Sequence, residues 1–322
     1  MALAVLLAAW MPGIVFGQTR LTVEVTNGTA DGASVVGDEV TLQLYKGQEP
    51  IRSLQVKIGE GGKAVFEGLP TGQEMAAVAR ARHQNMAFHG QPVLLAPGAN
   101  GLSASVQVFD VSTDTSKLSV GTHHIMIAVR SGSLEITEYM QLRNSSDMAV
   151  TGSRRDDQDR PIVIEVKLPE SFEDLAASGY FEQPALVLTP NGFYDTMAVP
   201  PGEHQVMFSY KLDIDRGAVK IAKEMTLPTA ELTVFWEHGQ GTLEGLGGPN
   251  GRLANAEGLP LEYYQRNDLK PGDRIAFQIC GFTARGSDTH TWIILAAVFA
   301  AIVVVALLRL RPTSIRMGQQ HG

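Results

Sequence analysis

The sequence has little of what a disulfide-stabilised or catalytic protein needs. Cys280 is the single cysteine, so no disulfide can form within the chain. We interpret it as a small buried apolar residue, with a reactive thiol or a bridge between chains as alternatives. The hydrolase motif G-x-S-x-G, the zinc motif H-E-x-x-H and the glycine-rich nucleotide loops are all missing. These absences predict a protein that is not an enzyme and needs no cofactor.

Positive charge is scarce as well. Lys and Arg number 26 and Asp and Glu 34, which gives a formal net charge of −8. Nucleic acid requires a basic surface, so the composition argues against that partner. With 44% hydrophobic and 19% charged residues, a folded core is expected.

One long apolar run is present, near the carboxyl end. Seventeen consecutive apolar residues occupy 292–308. At about 1.5 Å per residue, such a run spans a bilayer once its flanks reach the interfaces. Arg309, Arg311 and Arg316 follow it, and positive charge stays on the cytoplasmic side. We expect a transmembrane helix at 291–310 and a cytoplasmic tail at 311–322. This makes the chain a single-pass protein of the cytoplasmic (inner) membrane, with its body periplasmic or extracellular.

The amino-terminal residues are typical of a signal peptide. Residues 2–10 are apolar, Pro12 and Gly13 interrupt them, and Val15 and Gly17 suit a cleavage site. We predict a signal peptide at 1–17. A second transmembrane helix is the alternative, but the apolar run is too short for it.

Between residues 21 and 282 the hydrophobic pattern is that of strands. Short alternating stretches are separated by Gly, Pro, Asn and Asp, and no long amphipathic pattern occurs. The predicted strands are 21–26, 39–45, 53–58, 63–66, 76–81, 92–95, 103–109, 123–129, 134–143, 162–168, 185–188, 204–212, 231–235 and 274–279. Residues 151–160 are expected to be a surface loop, and 238–259 either a long loop or a site. Phe193 and Tyr194 are expected to anchor a turn, with an exposed recognition surface as the alternative. The fold class predicted is mainly β.

The segment EGGKAVFEGLPTGQEMAAVAR at 60–80 has a recognisable order of turn and strand residues. Gly62 precedes a strand ending in Phe66, then Gly68, Leu69 and Pro70 lead into another strand. This resembles a carboxypeptidase regulatory-like domain, a transthyretin-type β-sandwich. The resemblance implies such a domain at 18–115, and it implies a fold without any catalytic chemistry.

The remainder of the body, 116–285, is expected to be a larger immunoglobulin-like β-sandwich. Proline-glycine turns at 201–202 and 271–272 precede two of its strands. The pieces VTNGTADGASVVGDEVTLQLY, SVQVFDVST and EITEYMQLRNSS also resemble a group of uncharacterised bacterial envelope proteins. That resemblance implies a bacterial envelope location and brings no known activity.

The best candidate for a metal site is His123, His124 and Met126. On a strand, His124 and Met126 share one face, and this pair could suit copper in an exported protein. His123 points to the other face, so the two histidines do not form a chelate. Ordinary strand histidines are the competing interpretation.

These features predict a non-catalytic, membrane-anchored envelope protein. Its two β-sandwich domains would bind a protein, a glycan or the cell wall. Two alternatives stay open. One is an accessory subunit of a membrane assembly or transport complex, and the other is periplasmic copper handling through His and Met.

Overall fold

In a computed structural model, the described part of the chain is 18–282, except for residues 131, 215–216, 238 and 255–259. Strands make up most of it, which confirms the mainly-β prediction. Its helical segments are the short 3₁₀ turns Glu60–Gly62, Thr115–Lys117 and Gln183–Ala185. The predicted signal peptide at 1–17, the transmembrane helix at 291–310 and the tail at 311–322 lie outside the described residues.

Within that part, no helix has the length and apolar character that crossing a membrane requires.

The strands follow one another along the whole described part. In chain order they are β1 (Gln18–Asn27), β2 (Glu39–Lys46), β3 (Glu49–Lys57), β4 (Lys63–Pro70), β5 (Met75–His83), β6 (Met86–His89), β7 (Val93–Leu94), β8 (Leu102–Val108), β9 (Val111–Ser112), β10 (Leu118–Arg130), β11 (Ser133–Asn144), β12 (Ala149–Val150), β13 (Ile164–Lys167), β14 (Glu173–Gly179), β15 (Leu186–Thr189), β16 (Gly192–Asp195), β17 (Gly202–Asp213), β18 (Ala218–Glu224), β19 (Thr229–Glu237), β20 (Thr242–Glu244), β21 (Gly251–Ala254), β22 (Pro260–Leu269) and β23 (Arg274–Cys280).

The chain divides into two compact units. Unit 1 holds the chain up to Asp114 and two short later segments, Ser146–Thr151 and Met197–Pro201. Unit 2 holds Thr115–Ser145, Gly152–Thr196 and the chain from Gly202 onward. The later segments give unit 1 the strand β12, which pairs with β9, and an isolated bridge between Val150 and Val199.

Unit 1 places its sheets around one hydrophobic core. One sheet has the order β4-β1-β8, with β1 and β8 parallel, and the other has the order β3-β2-β5-β6, with β7 also on β5. Alternate residues of β2 and β5 are buried, as the period-2 pattern requires. Phe66 and Leu69 on β4 lie in this core, and so do Ala149 and Ala198 from the later segments.

Unit 2 is built on a seven-stranded sheet of order β14-β17-β11-β10-β19-β22-β21. Two three-stranded sheets accompany it, β13-β16-β15 and β18-β23-β20. The buried positions of β10, β11 and β17 alternate with partly exposed ones. We call the face that carries the buried positions the inner face and the opposite one the outer face. The inner face includes Phe208, Trp236 and Ile125, each nearly without solvent exposure.

Two local predictions were wrong. Phe193 and Tyr194 do not sit in a turn but on β16, where both are buried. Residues 238–259 contain the whole of β20 and β21, and the following β22 had not been predicted at all.

Candidate functional site: a buried polar cluster

The most concentrated group of ionisable side chains lies on the inner face of unit 2. Glu138 on β11 has no solvent exposure, and Lys223 on β18 is 3% exposed. The Lys223 ammonium donates to Glu138 Oε1 at 2.9 Å and forms an ion pair with Oε2 at 2.7 Å. Because β11 and β18 belong to different sheets, this ion pair ties the seven-stranded sheet to the β18 sheet.

Two further side chains complete this arrangement, which we call the Glu138 cluster. His123 Nε2 lies 2.7 Å from Glu138 Oε2, and the Tyr210 hydroxyl donates to Oε1 at 2.9 Å. Lys223 also donates to the main-chain oxygen of Lys167 at 3.1 Å and lies 5.4 Å from the centroid of the Phe208 ring. Each carboxylate oxygen of Glu138 therefore lies within 2.9 Å of two donor groups, which is what a buried anion needs.

The charges follow from these contacts. Burial acts to raise the pKa of Glu138, but the Lys223 ammonium and the His123 hydrogen bond outweigh it and lower that pKa to about 2. Burial lowers the pKa of His123, and it raises the pKa of Tyr210 well above its ordinary value. At neutral pH the cluster thus holds a Glu138 carboxylate paired with Lys223, with a neutral imidazole and a neutral phenol as further donors.

A small cavity adjoins His123 and Lys223. Its volume is about 20 Å³, and its lining includes Val120, Met225 and Thr229. A cavity of this size holds a water molecule, whereas ligand pockets measure hundreds of Å³. The cluster resembles catalytic machinery in its residue types, yet the space beside it admits no substrate.

A second cluster, the His83 cluster, lies in unit 1. His83 at the end of β5 is 2% exposed, and its two ring nitrogens face two carboxylates. Nδ1 lies 2.5 Å from Asp38 Oδ2, and Nε2 lies 2.9 Å from Asp110 Oδ1. Asn27 donates its amide to the same Asp110 oxygen at 2.7 Å, and the main-chain nitrogen of Ala33 donates to Asp110 too. The cluster fixes the loop between β1 and β2.

The charge of His83 follows from this geometry. Two nitrogens facing carboxylates can both donate only when the ring is protonated. Burial opposes that charge, but hydrogen bonds to Asp110 and Asp38 prevail and raise the pKa of His83. The hydrogen bond from His83 in turn lowers the pKa of Asp110. The two carboxylates therefore favour the protonated ring, an imidazolium held between Asp38 and Asp110.

The three residues predicted as metal ligands lie on opposite faces of the seven-stranded sheet. His123 lies inside, on Glu138, whereas His124 and Met126 lie on the outer face. The His124 ring packs against Phe235 at 5.2 Å and Tyr139 at 6.0 Å between centroids. In the described part of the chain, no three His, Cys, Asp or Glu side chains are grouped so as to hold a metal ion.

No family model matches the chain, and no curated protein matches it either. What it does must be argued from its own residues.

Of the four residues in this cluster, His123 was a predicted site residue, whereas Glu138, Lys223 and Tyr210 were not predicted. The sequence of two strands does indicate the buried charges. In β11, Ile136, Glu138 and Met140 occupy alternate positions, so the carboxylate falls on the buried side of an apolar pattern. In β18, Lys223 continues the alternation of Val219 and Ile221. Opposite charges at inward positions of two strands predict a buried ion pair.

Proposed function

We propose that this chain is a non-catalytic binding protein of the cell envelope. The apolar run at 292–308 anchors it in the cytoplasmic membrane, with the β-rich body outside and the arginine-bearing tail inside. The body then consists of a β-sandwich of the carboxypeptidase regulatory-like kind and a larger immunoglobulin-like one. They hold a surface for a protein, a glycan or the cell wall close to the membrane.

The observation that carries the proposal is the saturation of the Glu138 cluster. Glu138 already accepts hydrogen bonds from Lys223, His123 and Tyr210, and the cavity beside it is about 20 Å³. A general base needs a free lone pair within reach of a substrate proton, and neither is provided here. In this cluster, side chains of the types that enzymes use hold two sheets together instead. We therefore place the binding activity on the protein surface.

The domain assignment has its own support. In unit 1, Val23 on β1 and Leu42 on β2 come from different sheets and share one core with Phe66 and Leu69. Two sheets that face each other across a common core are what a regulatory-like β-sandwich requires.

The experiment tests membrane orientation and the lack of catalysis together. In spheroplasts carrying the full chain with a tag at Gly322, external protease should digest the body and spare the tag. The double variant Glu138→Gln/Lys223→Met should complement a deletion strain as well as the natural sequence does, since it removes both charges from the cluster. A protected body would refute the anchor, and failed complementation by a folded double variant would refute the non-catalytic assignment.

A further inference from the structure

The outer face of the seven-stranded sheet carries two adjacent rows of side chains, one crossing all seven strands and the other crossing six, from β14 to β22. Strand register aligns them, because paired residues project to the same side of a sheet. We call these two rows the uncharged band. The first row is Ala176, Ser209, Thr137, Met126, Phe235, Tyr263 and Gly251, and the second is Ser178, Met207, Tyr139, His124, Thr233 and Gln265.

The band bears no charged side chain at neutral pH, although it runs from one edge of the sheet to the other. His124 is the band residue that could carry a charge near neutral pH, but burial lowers the pKa of its imidazole to about 4. The five inner strands carry the methionines and the rings of the band interspersed with the hydroxyls of Thr137, Thr233 and Ser209, and the two edge strands carry the small residues Ala176, Ser178 and Gly251. This composition is unusual for a solvated sheet face, which normally places charges among its polar residues.

Acidic residues line both sides of the band. On one side the next row holds Glu173, Glu135 and Glu237 with Lys211, and also the apolar Ala128, Leu261 and Leu253. Arg130 lies 3.9 Å from Glu237. On the other side lie Glu231 and Glu203 with Arg143. The Lys211 ammonium is already engaged with Asp174 at 2.7 Å. The rims therefore present net negative charge to a partner, in keeping with the acidic chain as a whole.

The size of the band suits one segment of polypeptide. Seven strands about 4.8 Å apart give a length of about 29 Å, and two rows of side chains give a footprint of about 400 Å². Within it Tyr139 and Thr233 are buried, at 7% and 4% exposed, so the accessible surface is smaller than the footprint. Exposed apolar patches of a few hundred Å² mark interaction sites, whereas a standard protein interface buries about 800 Å² on each partner. The area thus fits a peptide-sized contact rather than a large obligate interface.

We propose that the uncharged band docks an apolar segment of a partner protein whose flanks carry lysine or arginine. The band receives the apolar side chains, and the acidic rims receive the basic flanks and orient the segment. Methionines adapt their shape to varied apolar partners, which suits Met126 and Met207 on the inner strands. This inference rests on the proposed binding function and names the class of partner.

Two other occupants fit less well. A second copy of this chain would place acidic rims against acidic rims, which repel. A neutral glycan can donate hydroxyl hydrogen bonds to the rim carboxylates but gains no charge attraction from them, and it stacks on open ring faces. Here the rings pack on one another instead, His124 edge-on to Phe235 at 87° and Phe235 tilted by 43° to Tyr263.

The test uses the full chain in neutral-lipid nanodiscs and fluorescence anisotropy, with empty nanodiscs subtracted. The probes are a labelled peptide of alternating leucine and threonine with three lysines at each end, the same peptide with glutamates at its ends, and an oligomer of N-acetylglucosamine. The lysine-flanked peptide should bind and the glutamate-flanked one should not. Met207→Glu and Ser209→Glu, both within the band, should each weaken binding about tenfold or more.

Gln205→Glu is the matched control. It adds the same charge on the same strand and face, two residues outside the band, and should change affinity about threefold or less. Circular dichroism must show all variants folded. The proposal is overturned by any of four results. These are no binding of the lysine-flanked peptide, an equal loss of affinity in all three variants, self-association that Met207→Glu abolishes, or binding of the sugar oligomer alone. These outcomes differ from a failed orientation or complementation experiment, which would refute the proposed function instead.

Discussion

At the scale of single residues, the Glu138 cluster governs the stability of unit 2. A buried ion pair contributes little net stability, because desolvation offsets the attraction, but removing one partner leaves a buried charge without compensation. Lys223 is such a partner, since its ammonium contacts both oxygens of Glu138. Removing Lys223 alone should therefore cost more free energy of unfolding than the ion pair contributes.

Lys223→Met should lower the free energy of unfolding by about 3–5 kcal/mol, whereas Glu138→Gln/Lys223→Met should lose clearly less. In the double variant no buried charge remains, and a glutamine oxygen still accepts from His123 or Tyr210. Urea denaturation measures both. Lys220→Met, at an exposed position of β18, serves as the control and should have little effect. A double variant less stable than Lys223→Met would contradict this account.

The His83 cluster makes the stability of unit 1 depend on pH. His83 has a raised pKa, so its contribution is fully present below 6.5 and is lost as pH rises through the folded-state pKa. Asp110 has a lowered pKa, so its contribution is present above 3.8 and is lost as pH falls through the folded-state pKa. Unit 1 should thus be most stable at intermediate pH.

His83→Gln should remove the alkaline loss of stability, because its amide carries no titrating proton. Unfolding followed at a series of pH values, for the natural sequence and the variant, checks this. Arg82→Gln, an exposed neighbour on β5, controls for the loss of a positive charge. Parallel pH curves for the natural sequence and His83→Gln would rule out the imidazolium bridge.

At the scale of elements, the sequence indicated the strands better than the loops. Period-2 alternation revealed β2, β5, β10, β11 and β17, since each buries one face. It did not reveal β14, whose residues are mostly exposed on both faces and show no apolar alternation. It did not place Phe193 on β16 either, because the neighbouring Asn191 and Gly192 favour a turn.

Local hydrophobic alternation can indicate one of the two clusters but not the other. Alternation could have exposed Glu138 and Lys223, since each interrupts an apolar face of its own strand. The pairing of His83 with Asp38 and Asp110 could not be read locally. These residues come from different strand ends, and only the fold brings them together.

The loop at 151–160 is an element whose order the sequence did not suggest. Its polar composition predicts a surface loop without structure, yet Asp156 organises it. The carboxylate accepts from the main-chain nitrogens of Gln158 and Arg160, from Arg160 Nε and from the Tyr194 hydroxyl. These hydrogen bonds close the loop into a hairpin on β16.

Asp156→Ala should therefore make this loop more sensitive to trypsin, which can cleave after Arg154 and Arg155. Asp157→Ala, at an exposed position of the same loop, provides the control. The rate of the first cut in a limited digest, located by mass spectrometry, measures the difference. Equal rates in both variants would show that Asp156 does not hold the loop closed.

At the scale of the whole molecule, unit 1 is not continuous in sequence. Ala149 and Ala198 lie in its core although strands of unit 2 separate them from residue 114. Composition and turn residues suggest a boundary near 115, but they cannot indicate that the chain later returns. Such a return depends on pairing between distant strands, of which β9 with β12 is the example.

Ala149→Asp should destabilise unit 1 by about 2–4 kcal/mol, because it places a charge in an apolar core. Hydrogen exchange should then accelerate in β1 and β8, far away in sequence, and change little in β18 and β23. Ala254→Asp, at an exposed position of β21, is the control. Faster exchange confined to unit 2 would argue against the discontinuous core.

The return of the chain into unit 1 also has a consequence for biosynthesis. A ribosome delivers residues in order, so the first hundred emerge long before Ala198 exists to close the core around them. The early strands therefore remain incompletely buried while much of unit 2 is synthesised. If the protein is exported as proposed, an unfinished unit 1 remains unfolded enough to be threaded across the membrane, and it matures only on the far side.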